Sequence, residues 1–229
     1  MSAIANYFKS NGKNVGGFDK TPTEITTDLK KKGIQIHFDD AVDLIPNEFK
    51  NKSNTIVIYT PAVPKNHAEL NYFINEDFKV IKRSEILGEI TKNTFCFAVA
   101  GTHGKTTTST ILGHVLKEAG TNATSFLGGI SENYNSNLIL GGSEISVVEA
   151  DEFDRSFLKL SPTIACITSM DADHLDIYGD HSALEQSFKD FAAKVSKTLI
   201  VRKGLPIEGI TFGIEEQADF DAQNIRIEN

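Results

Sequence analysis

The segment AGTHGKTTT, residues 100–108, follows an apolar run and combines two glycines with a lysine and several threonines. Glycines let a backbone approach an anion closely, and a helix N-terminus presents unpaired N–H groups to phosphate. Lys105 can then reach the terminal phosphates of a nucleotide, and the Thr106 hydroxyl can ligate Mg²⁺. We therefore predict an ATP-binding loop made of Gly101, Thr102, His103, Gly104, Lys105, Thr106 and Thr107.

One position of this loop departs from the general phosphate-loop pattern G-x-x-x-x-G-K-[ST]. That pattern requires a glycine at position 99, where this sequence has Val99. A glycine-rich turn between a strand and a helix, without any ligand, is the structural alternative. It gives no reason for a Lys105–Thr106 pair at this place, so the phosphate-binding interpretation is favoured.

Two further polar segments follow other apolar runs. The run Val147–Glu152, VVEADE, ends in carboxylates, and Mg²⁺ prefers such hard oxygen ligands. We select Glu149 as the Mg²⁺ ligand, because sites in parallel sheets lie at the carboxyl ends of strands. Solvated or helix-capping carboxylates are the alternative. In the second segment, Thr168–Asp176, His174 lies among aspartates, where it binds a metal, positions a phosphate or has a structural role only.

Apolar strands and helices alternate along the chain, as in a parallel sheet with helical crossovers. The pattern predicts an α/β protein with a Rossmann-like parallel-sheet domain over residues 1–91 and a P-loop ATPase α/β domain over residues 92–229. A doubly wound nucleotide fold begins with a strand and a glycine-rich turn, whereas this sequence opens on a helix at residue 2. We therefore expect that the first strand is missing. A second helix is predicted to start at a Thr21 cap, and the polar tail after Ile214 to form a linker or an edge strand.

The composition indicates an acidic globular protein. The 229 residues carry 23 Lys and Arg against 31 Asp and Glu, and this net charge of −8 disfavours general binding to nucleic acid or to an anionic membrane. No apolar run of about 18 residues predicts membrane insertion, and the N-terminus lacks the pattern of a secretory signal. Cys96 and Cys166 lie in separate apolar runs and are expected to be buried free thiols. We expect a cytoplasmic protein.

The segments GTHGKTTT, EADE and DADHLD resemble, in their order and spacing, the central ATPase domain of the Mur ligases. That family uses a shorter loop, G-T-x-G-K-[ST], which accommodates Val99. Within the family, EADEFDRSFL followed by DADHLDIYGD is most similar to the members that join L-alanine to UDP-N-acetylmuramic acid. One asparagine of the family pattern is replaced here by Ser169, and the family's C-terminal domain has no counterpart in this sequence.

The resemblance extends to the N-terminal part of the chain, which is similar to the UDP-binding domain of that family. There a strand and a G-x-G-G-x-G turn come directly before the residues that match the start of this sequence. The positions that match the surroundings of the UDP-sugar in the family are Asp19, the turn Thr60, Pro61, Ala62 and Val63, and Arg83.

The resemblance implies an ATP- and Mg²⁺-dependent ligase. In that family ATP phosphorylates the carboxylate of UDP-N-acetylmuramic acid, and the amine of L-alanine then attacks the acyl phosphate. Lys105 and His174 would be the catalytic residues. Thr106 and Glu149 would hold one Mg²⁺, and His174 would hold a second. Some relatives carry a carbamylated lysine after the histidine motif, and Lys189 is the nearest candidate here.

Other functions stay open on the sequence alone. A ligase that recycles the muramyl tripeptide and folylpolyglutamate synthase belong to the same superfamily, although the latter starts directly at its ATPase domain. A nucleotide-binding fragment without ligase activity is an alternative of a different class. A nicotinamide-dependent oxidoreductase is disfavoured, because the glycine loop is followed by Lys105 and Thr106, which indicate a triphosphate with Mg²⁺.

Overall fold

The computed structural model describes residues 1–171 and 181–226. Contacts divide the chain into two compact units, Met1–Ile86 and Leu87–Asn229. This division falls within one helix, slightly before the boundary that the sequence predicts. In the described ranges, no helix combines the length and the apolar character that crossing a membrane would require.

The first unit consists of short strands that alternate with helices. Its strands pair in parallel as two separate two-stranded sheets, β1 with β2 and β3 with β4. Aromatic and aliphatic side chains, among them Ile45, Phe73 and Phe78, form a buried core cluster in this unit. The elements are α1 Ser2–Ser10, β1 Gly16–Phe18, α2 Glu24–Lys31, β2 Gln35–His37, β3 Ile56–Tyr59, α3 Ala68–Asn75, β4 Lys79–Lys82 and, running into the second unit, α4 Arg83–Lys92.

The cap of α2 differs from the prediction. Thr23, not Thr21, accepts a hydrogen bond from the backbone N–H of Thr26, and the Thr26 hydroxyl accepts one from the Thr23 N–H, which together form a capping box. The Thr21 N–H donates to the Asp19 carboxylate in the preceding turn. Thr21 therefore belongs to this turn, and the helix begins two residues later than predicted.

The second unit contains an eight-stranded sheet in the order β12-β11-β10-β9-β5-β8-β6-β7. All neighbouring strands pair in parallel except the β6–β7 hairpin, whose second strand the sequence pattern did not predict. The polar tail contributes the edge strand β12. The elements are β5 Phe95–Ala100, α5 Lys105–Glu118, β6 Ala123–Ser131, β7 Ser136–Ile139, β8 Ile145–Ala150, β9 Ile164–Ile167, α6 His181–Ala192, β10 Thr198–Arg202, β11 Ile210–Ile214 and β12 Phe220–Ala222.

The position of β5 determines where a ligand can bind in this sheet. Its last residues, Ala98–Ala100, are buried, as expected for an apolar strand covered on both faces. β5 lies between β8 and β9, so strands that follow it in the chain lie on both of its sides. Such a switch point opens a crevice at the carboxyl ends of the strands. The loop 101–104 leaves β5 at this crevice.

The two cysteines are free, as predicted. Cys96 is fully buried on β5, and burial raises the pKa of its thiol to about 12. Cys166 on β9 is less buried, and desolvation raises the pKa of its thiol to about 11. Both thiols are therefore protonated at neutral pH and fill the sheet as small apolar groups.

Candidate nucleotide-binding site

The loop between β5 and α5 has a backbone that only glycine accommodates well. Gly101 has φ 132° and Gly104 has φ 81°, both in the left-handed region. A Cβ atom on Gly101 would overlap the Thr168 side chain, so the conformation and the packing both require glycine there. Gly104 is the N-cap of α5 and has no side chain, and none of the described residues caps this helix with its side chain. The first N–H groups of α5 are thus oriented for an anion.

Lys105, the first residue of α5, forms a buried ion pair. Its Nζ donates hydrogen bonds to the two carboxylate oxygens of Glu152 at 3.0 and 2.8 Å and to the Gly101 carbonyl at 2.6 Å. The Glu152 side chain is 0% exposed and that of Lys105 is 13% exposed. The ammonium is therefore held against the phosphate loop. Glu152 belongs to the EADE segment, and nothing in the sequence predicted this pairing with Lys105.

Thr106 and Glu149, the two predicted Mg²⁺ ligands among the described residues, both border a glycine pair on β6. The Gly128 N–H donates to Glu149 Oε2 at 2.9 Å, and a Cβ on Gly128 would overlap this carboxylate. A Cβ on Gly129 would lie 3.3 Å from Thr106 Cγ2. Both side chains carry hard oxygen donors of the kind that Mg²⁺ prefers, and both lie beside glycines that have no side chain. Among the described residues, no group of three or more His, Cys, Asp or Glu side chains could hold a metal ion.

The residues that follow β9 support the loop from the other side. Ser169 Oγ lies 2.9 Å from Thr102 Oγ1 and accepts the His103 N–H at 2.8 Å. Thr168 Oγ1 donates to the carbonyls of Ala100 and His103. Ser169, which replaces an asparagine of the Mur ligase pattern, thus hydrogen-bonds the phosphate loop itself. These contacts explain how a loop with two left-handed glycines keeps one conformation.

Other predicted residues of this site are exposed or lie outside the described residues. The His103 side chain is 69% exposed, and its Nε2 lies 3.9 Å from Asp171 Oδ2. Thr107 is exposed in the first turn of α5. His174 lies outside the described residues. Lys189 on α6 forms an exposed pair with Glu185, with 2.6 Å between Nζ and Oε1.

The candidate substrate residues of the first unit lie at strand ends and helix starts. Asp19 follows β1 and is exposed, and Arg83 is the exposed first residue of α4. Both act on the Met1 amine at the start of α1, whose pKa is lowered by burial and by the Arg83 charge, while Asp19 opposes the shift. Asp19 and Arg83 thus lie near the same helix N-terminus. The turn Thr60–Val63 closes after β3 through a bond from Val63 N–H to the Thr60 carbonyl.

Sequence models of two domains match the chain. The one described as the Mur ligase middle domain matches residues 99–229, and the one described as the Mur ligase family catalytic domain matches residues 1–94. The chain belongs to the Mur ligase family. The resemblance stated from the GTHGKTTT and EADE segments is confirmed, and so is the α/β fold with parallel sheets.

Among curated Mur ligases, the UDP-N-acetylmuramate–L-alanine ligase of Flavobacterium psychrophilum is 62% identical over 231 residues, which cover 100% of this chain and 51% of that protein. The corresponding ligase of Parabacteroides distasonis is 50% identical and covers 99% of the chain and 52% of its own length. The chain spans about half the length of the curated relatives it matches.

A crystal structure of the UDP-N-acetylmuramate–alanine ligase of Thermotoga maritima superposes on this Mur ligase chain with a TM-score of 0.81 and 31% identity, over 94% of the chain and 50% of that protein. The structure of a UDP-N-acetylmuramate:L-alanyl-γ-D-glutamyl-meso-diaminopimelate ligase from Neisseria meningitides gives 0.79 and 25% identity, over 90% and 68%. Identity is thus higher to the alanine ligase, although the two folds fit almost equally well.

A partly buried polar cluster in the first unit of this Mur ligase was not predicted from the sequence. The Asp40 carboxylate accepts the N–H groups of Ala68 and Glu69 at the start of α3, at 2.7 and 3.0 Å. His67 Nδ1 lies 3.1 Å from Asp40, and the Glu69 carboxylate lies 2.6 Å from His37 Nε2. The only sequence signal was His37 at the end of β2 and Asp40 after it, and neither forms a motif with His67 or Glu69.

Proposed function

We propose that the whole protein to which this chain belongs is an ATP-dependent ligase that joins L-alanine to UDP-N-acetylmuramic acid. One observation carries the proposal. An uncapped helix N-terminus, left-handed glycines and an anchored lysine meet at the switch point of a parallel sheet, and this arrangement occurs within a Mur ligase chain. The 62% identity to a curated ligase of that name, over the full length of this chain, supports the choice of substrates.

The phosphate loop would bind ATP through its backbone. N–H groups of residues 104–107, at the start of α5, would face the phosphates, and Lys105 would neutralise the terminal one. Thr106 and Glu149 would hold one Mg²⁺ through oxygen donors. Following the family resemblance, His174 would hold a second. When bound, Mg²⁺ would neutralise phosphate charge and orient the transferred group.

The reaction would proceed in two steps. An oxygen of the substrate carboxylate attacks the terminal phosphorus of ATP, the bond to the bridging oxygen breaks, and ADP leaves. The neutral amine of L-alanine then attacks the carbonyl carbon of the acyl phosphate, inorganic phosphate leaves, and the nitrogen loses a proton to solvent. Positioning and charge neutralisation are what such phosphoryl transfer requires from a protein.

The first unit would bind the sugar nucleotide. We place UDP-N-acetylmuramic acid near the start of α1, where Arg83 would supply positive charge to its diphosphate and Asp19 would accept a hydrogen bond from one of its donor groups. The turn Thr60–Ala62 would contact the sugar or the uridine. Both nucleotide substrates belong to the cytoplasm, which is therefore the proposed location.

The test is phosphate release by the full-length protein with Mg-ATP and UDP-N-acetylmuramic acid. The acceptor is either L-alanine or the tripeptide L-Ala-γ-D-Glu-meso-diaminopimelate, which the 25% identity to the Neisseria enzyme makes the second candidate. Release that requires L-alanine is expected. Release only with the tripeptide would transfer the assignment to that ligase, and no release with either would refute both. The 229-residue chain, assayed in parallel, is expected to bind nucleotide without turnover.

A further inference from the structure

The Lys105 ammonium has all three of its N–H donors engaged. Two bonds go to the Glu152 carboxylate and one to the Gly101 carbonyl. A phosphate oxygen that binds this ammonium must therefore replace one of these acceptors. The two candidates differ in charge and in burial, and this difference predicts which bond is exchanged.

Replacing a bond to Glu152 would cost more free energy than replacing the bond to the Gly101 carbonyl. Its carboxylate is 0% exposed, and exchange there would break one of the two bonds that join it to Lys105, which weakens a buried ion pair at a desolvation cost. The Gly101 carbonyl is neutral and is a weaker acceptor for an ammonium than a phosphate oxygen is. Exchange at Gly101 therefore keeps the ion pair and gains a charge-assisted bond.

The chain around Glu152 is built to keep this carboxylate in place. It directly precedes the 3-10 helical segment Phe153–Lys159, whose Phe157 is buried and packs against Phe188 and Phe191 of α6, with ring centroids 5.4 and 5.0 Å apart. The Phe157 N–H donates to the Asp151 carbonyl, which closes the turn on the other side. The packing of Phe157 thus restricts the position of the neighbouring Glu152 without a bound ligand.

We propose that Glu152 is a positioning residue that holds the Lys105 ammonium at the phosphate loop through both carboxylate oxygens, so that the terminal phosphate of ATP replaces only the Gly101 carbonyl. The inference rests on the proposed function for its identification of ATP as the ligand. It assigns to the last residue of the EADE segment a role different from that of Glu149.

The experiment measures the affinity for Mg-ATP and for Mg-ADP by calorimetry, without acceptor, on the full-length protein. The variants are Glu152→Gln, Lys105→Met and the double variant. If Glu152 acts through Lys105, Glu152→Gln reduces the ATP-over-ADP preference by about ten- to a hundredfold, the range for hydrogen bonds to charged groups. ADP affinity changes by no more than about threefold, since ADP lacks the terminal phosphate. The double variant shows no further loss beyond Lys105→Met.

Two results would overturn the proposal. One is an unchanged ATP-over-ADP preference in Glu152→Gln. The other is a loss of the same size in the Lys105→Met background, or an equal loss of ADP affinity, because either would mean that Glu152 supports the fold rather than the lysine. Asp28→Asn is the matched control, since it removes the carboxylate of an exposed lysine pair with Lys32 on α2.

A second variant covers the case in which Glu152→Gln does not fold, as checked by thermal unfolding. Glu152→Asp keeps the buried charge and shortens its reach, so a smaller loss of ATP preference with normal ADP affinity is expected. A preference equal to that of the wild type would contradict the positioning role. These binding readouts need no acceptor, so they stand even if the protein fails to release phosphate with L-alanine, which would refute the proposed function alone.

Discussion

The N-termini of α3 and α5 differ in how their backbone N–H groups are satisfied. At α3 the Asp40 carboxylate accepts two backbone N–H groups, so the helix carries its own anion. At α5 the N-cap is Gly104, none of the described side chains caps the helix, and the Lys105 ammonium lies beside the loop, 2.6 Å from the Gly101 carbonyl. A helix N-terminus attracts negative charge in either case. What differs is whether that charge belongs to the protein or must come from a ligand.

This difference separates a structural polar cluster from a binding site. At the α3 end, the Asp40 carboxylate and His67 Nδ1 already accept backbone N–H groups of the helix. The loop before α5 instead has supporting bonds from Thr168 and Ser169 that hold its backbone while its helix end stays open. Buried polar groups that hold the loop while the N–H groups at the helix N-terminus stay free form a preorganised anion-binding site. Variants at the two ends should therefore differ in kind, with function lost at α5 and stability lost at α3.

The largest effect is expected for Lys105→Met. It removes the positive charge beside the terminal phosphate, and we expect kcat for phosphate release to fall by about a thousandfold or more, as for a lost preorganised charge. Steady-state kinetics of the full-length protein measure this. Lys32→Met is the control, because Lys32 lies at the C-terminal end of α2 in an exposed pair with Asp28. If Lys105→Met retains more than a tenth of the wild-type kcat, Lys105 is not a catalytic residue.

The next effect is expected for Gly101→Ala. The added Cβ would overlap the Thr168 side chain at a φ of 132°, so the loop must shift. Strain of about 1–3 kcal/mol predicts a loss of about ten- to a hundredfold in ATP affinity, measured by calorimetry. Gly120→Ala is the matched control, since Gly120 also has a positive φ, 75°, but open space around its Cβ position. Equal ATP affinity losses in the two variants would show that backbone strain, not the loop contact, is responsible.

The sequence predicted best where the backbone itself requires particular residues. Gly101 and Gly104 must be glycines, and a lysine and a threonine after them have no structural necessity, so the loop was identifiable without a structure. The parallel sheet was also predictable, because parallel strands buried on both faces must be apolar throughout and here alternate with helices.

What the sequence did not show are contacts between residues far apart in the chain. The pair of Lys105 with Glu152 spans 47 positions, and the bonds of Asp40 to α3 span 28 and 29. Thr23 caps α2 instead of Thr21, because the Thr21 N–H donates to the Asp19 carboxylate in the preceding turn. The sequence alone does not distinguish these two threonines. Strand β7 was missed because Ser136–Ile139 is short and gains its pairing only from the hairpin with β6.

A smaller effect is expected for Arg83→Ala. Arg83 is the first residue of α4 and lies near the N-terminus of α1. We expect KM for UDP-N-acetylmuramic acid to rise about tenfold, the value of one charge-assisted contact to a diphosphate, while KM for ATP stays unchanged. Arg202→Ala, at an exposed arginine on β10 that lies 3.7 Å from Glu216, is the control. An equal rise in both KM values would place Arg83 among residues that support the fold, and no rise would withdraw its substrate role.

The smallest effect is expected at the closed helix end, for Asp40→Ala. Partial burial would raise the pKa of Asp40, but the N–H groups of Ala68 and Glu69 and the charges of His67 and His37 lower it below its ordinary value. A carboxyl whose folded-state pKa is lowered stabilises the protein above its unfolded-state pKa, and this contribution disappears as the pH falls through the folded-state value. Loss of the cap should lower the free energy of unfolding at pH 7 by about 1 kcal/mol.

Urea unfolding of wild type, Asp40→Ala and Asp40→Asn between pH 7 and pH 3 separates the cap from the charge. Asparagine also caps helices well, so Asp40→Asn keeps the hydrogen bonds and removes only the titrating group. The difference between wild type and Asp40→Asn should therefore be largest at pH 7 and shrink toward pH 3, whereas Asp40→Ala stays less stable than Asp40→Asn throughout. Nucleotide affinity should be unchanged in both variants. A loss of ATP affinity in Asp40→Asn would contradict the distinction between the closed N-terminus of α3 and the open one of α5.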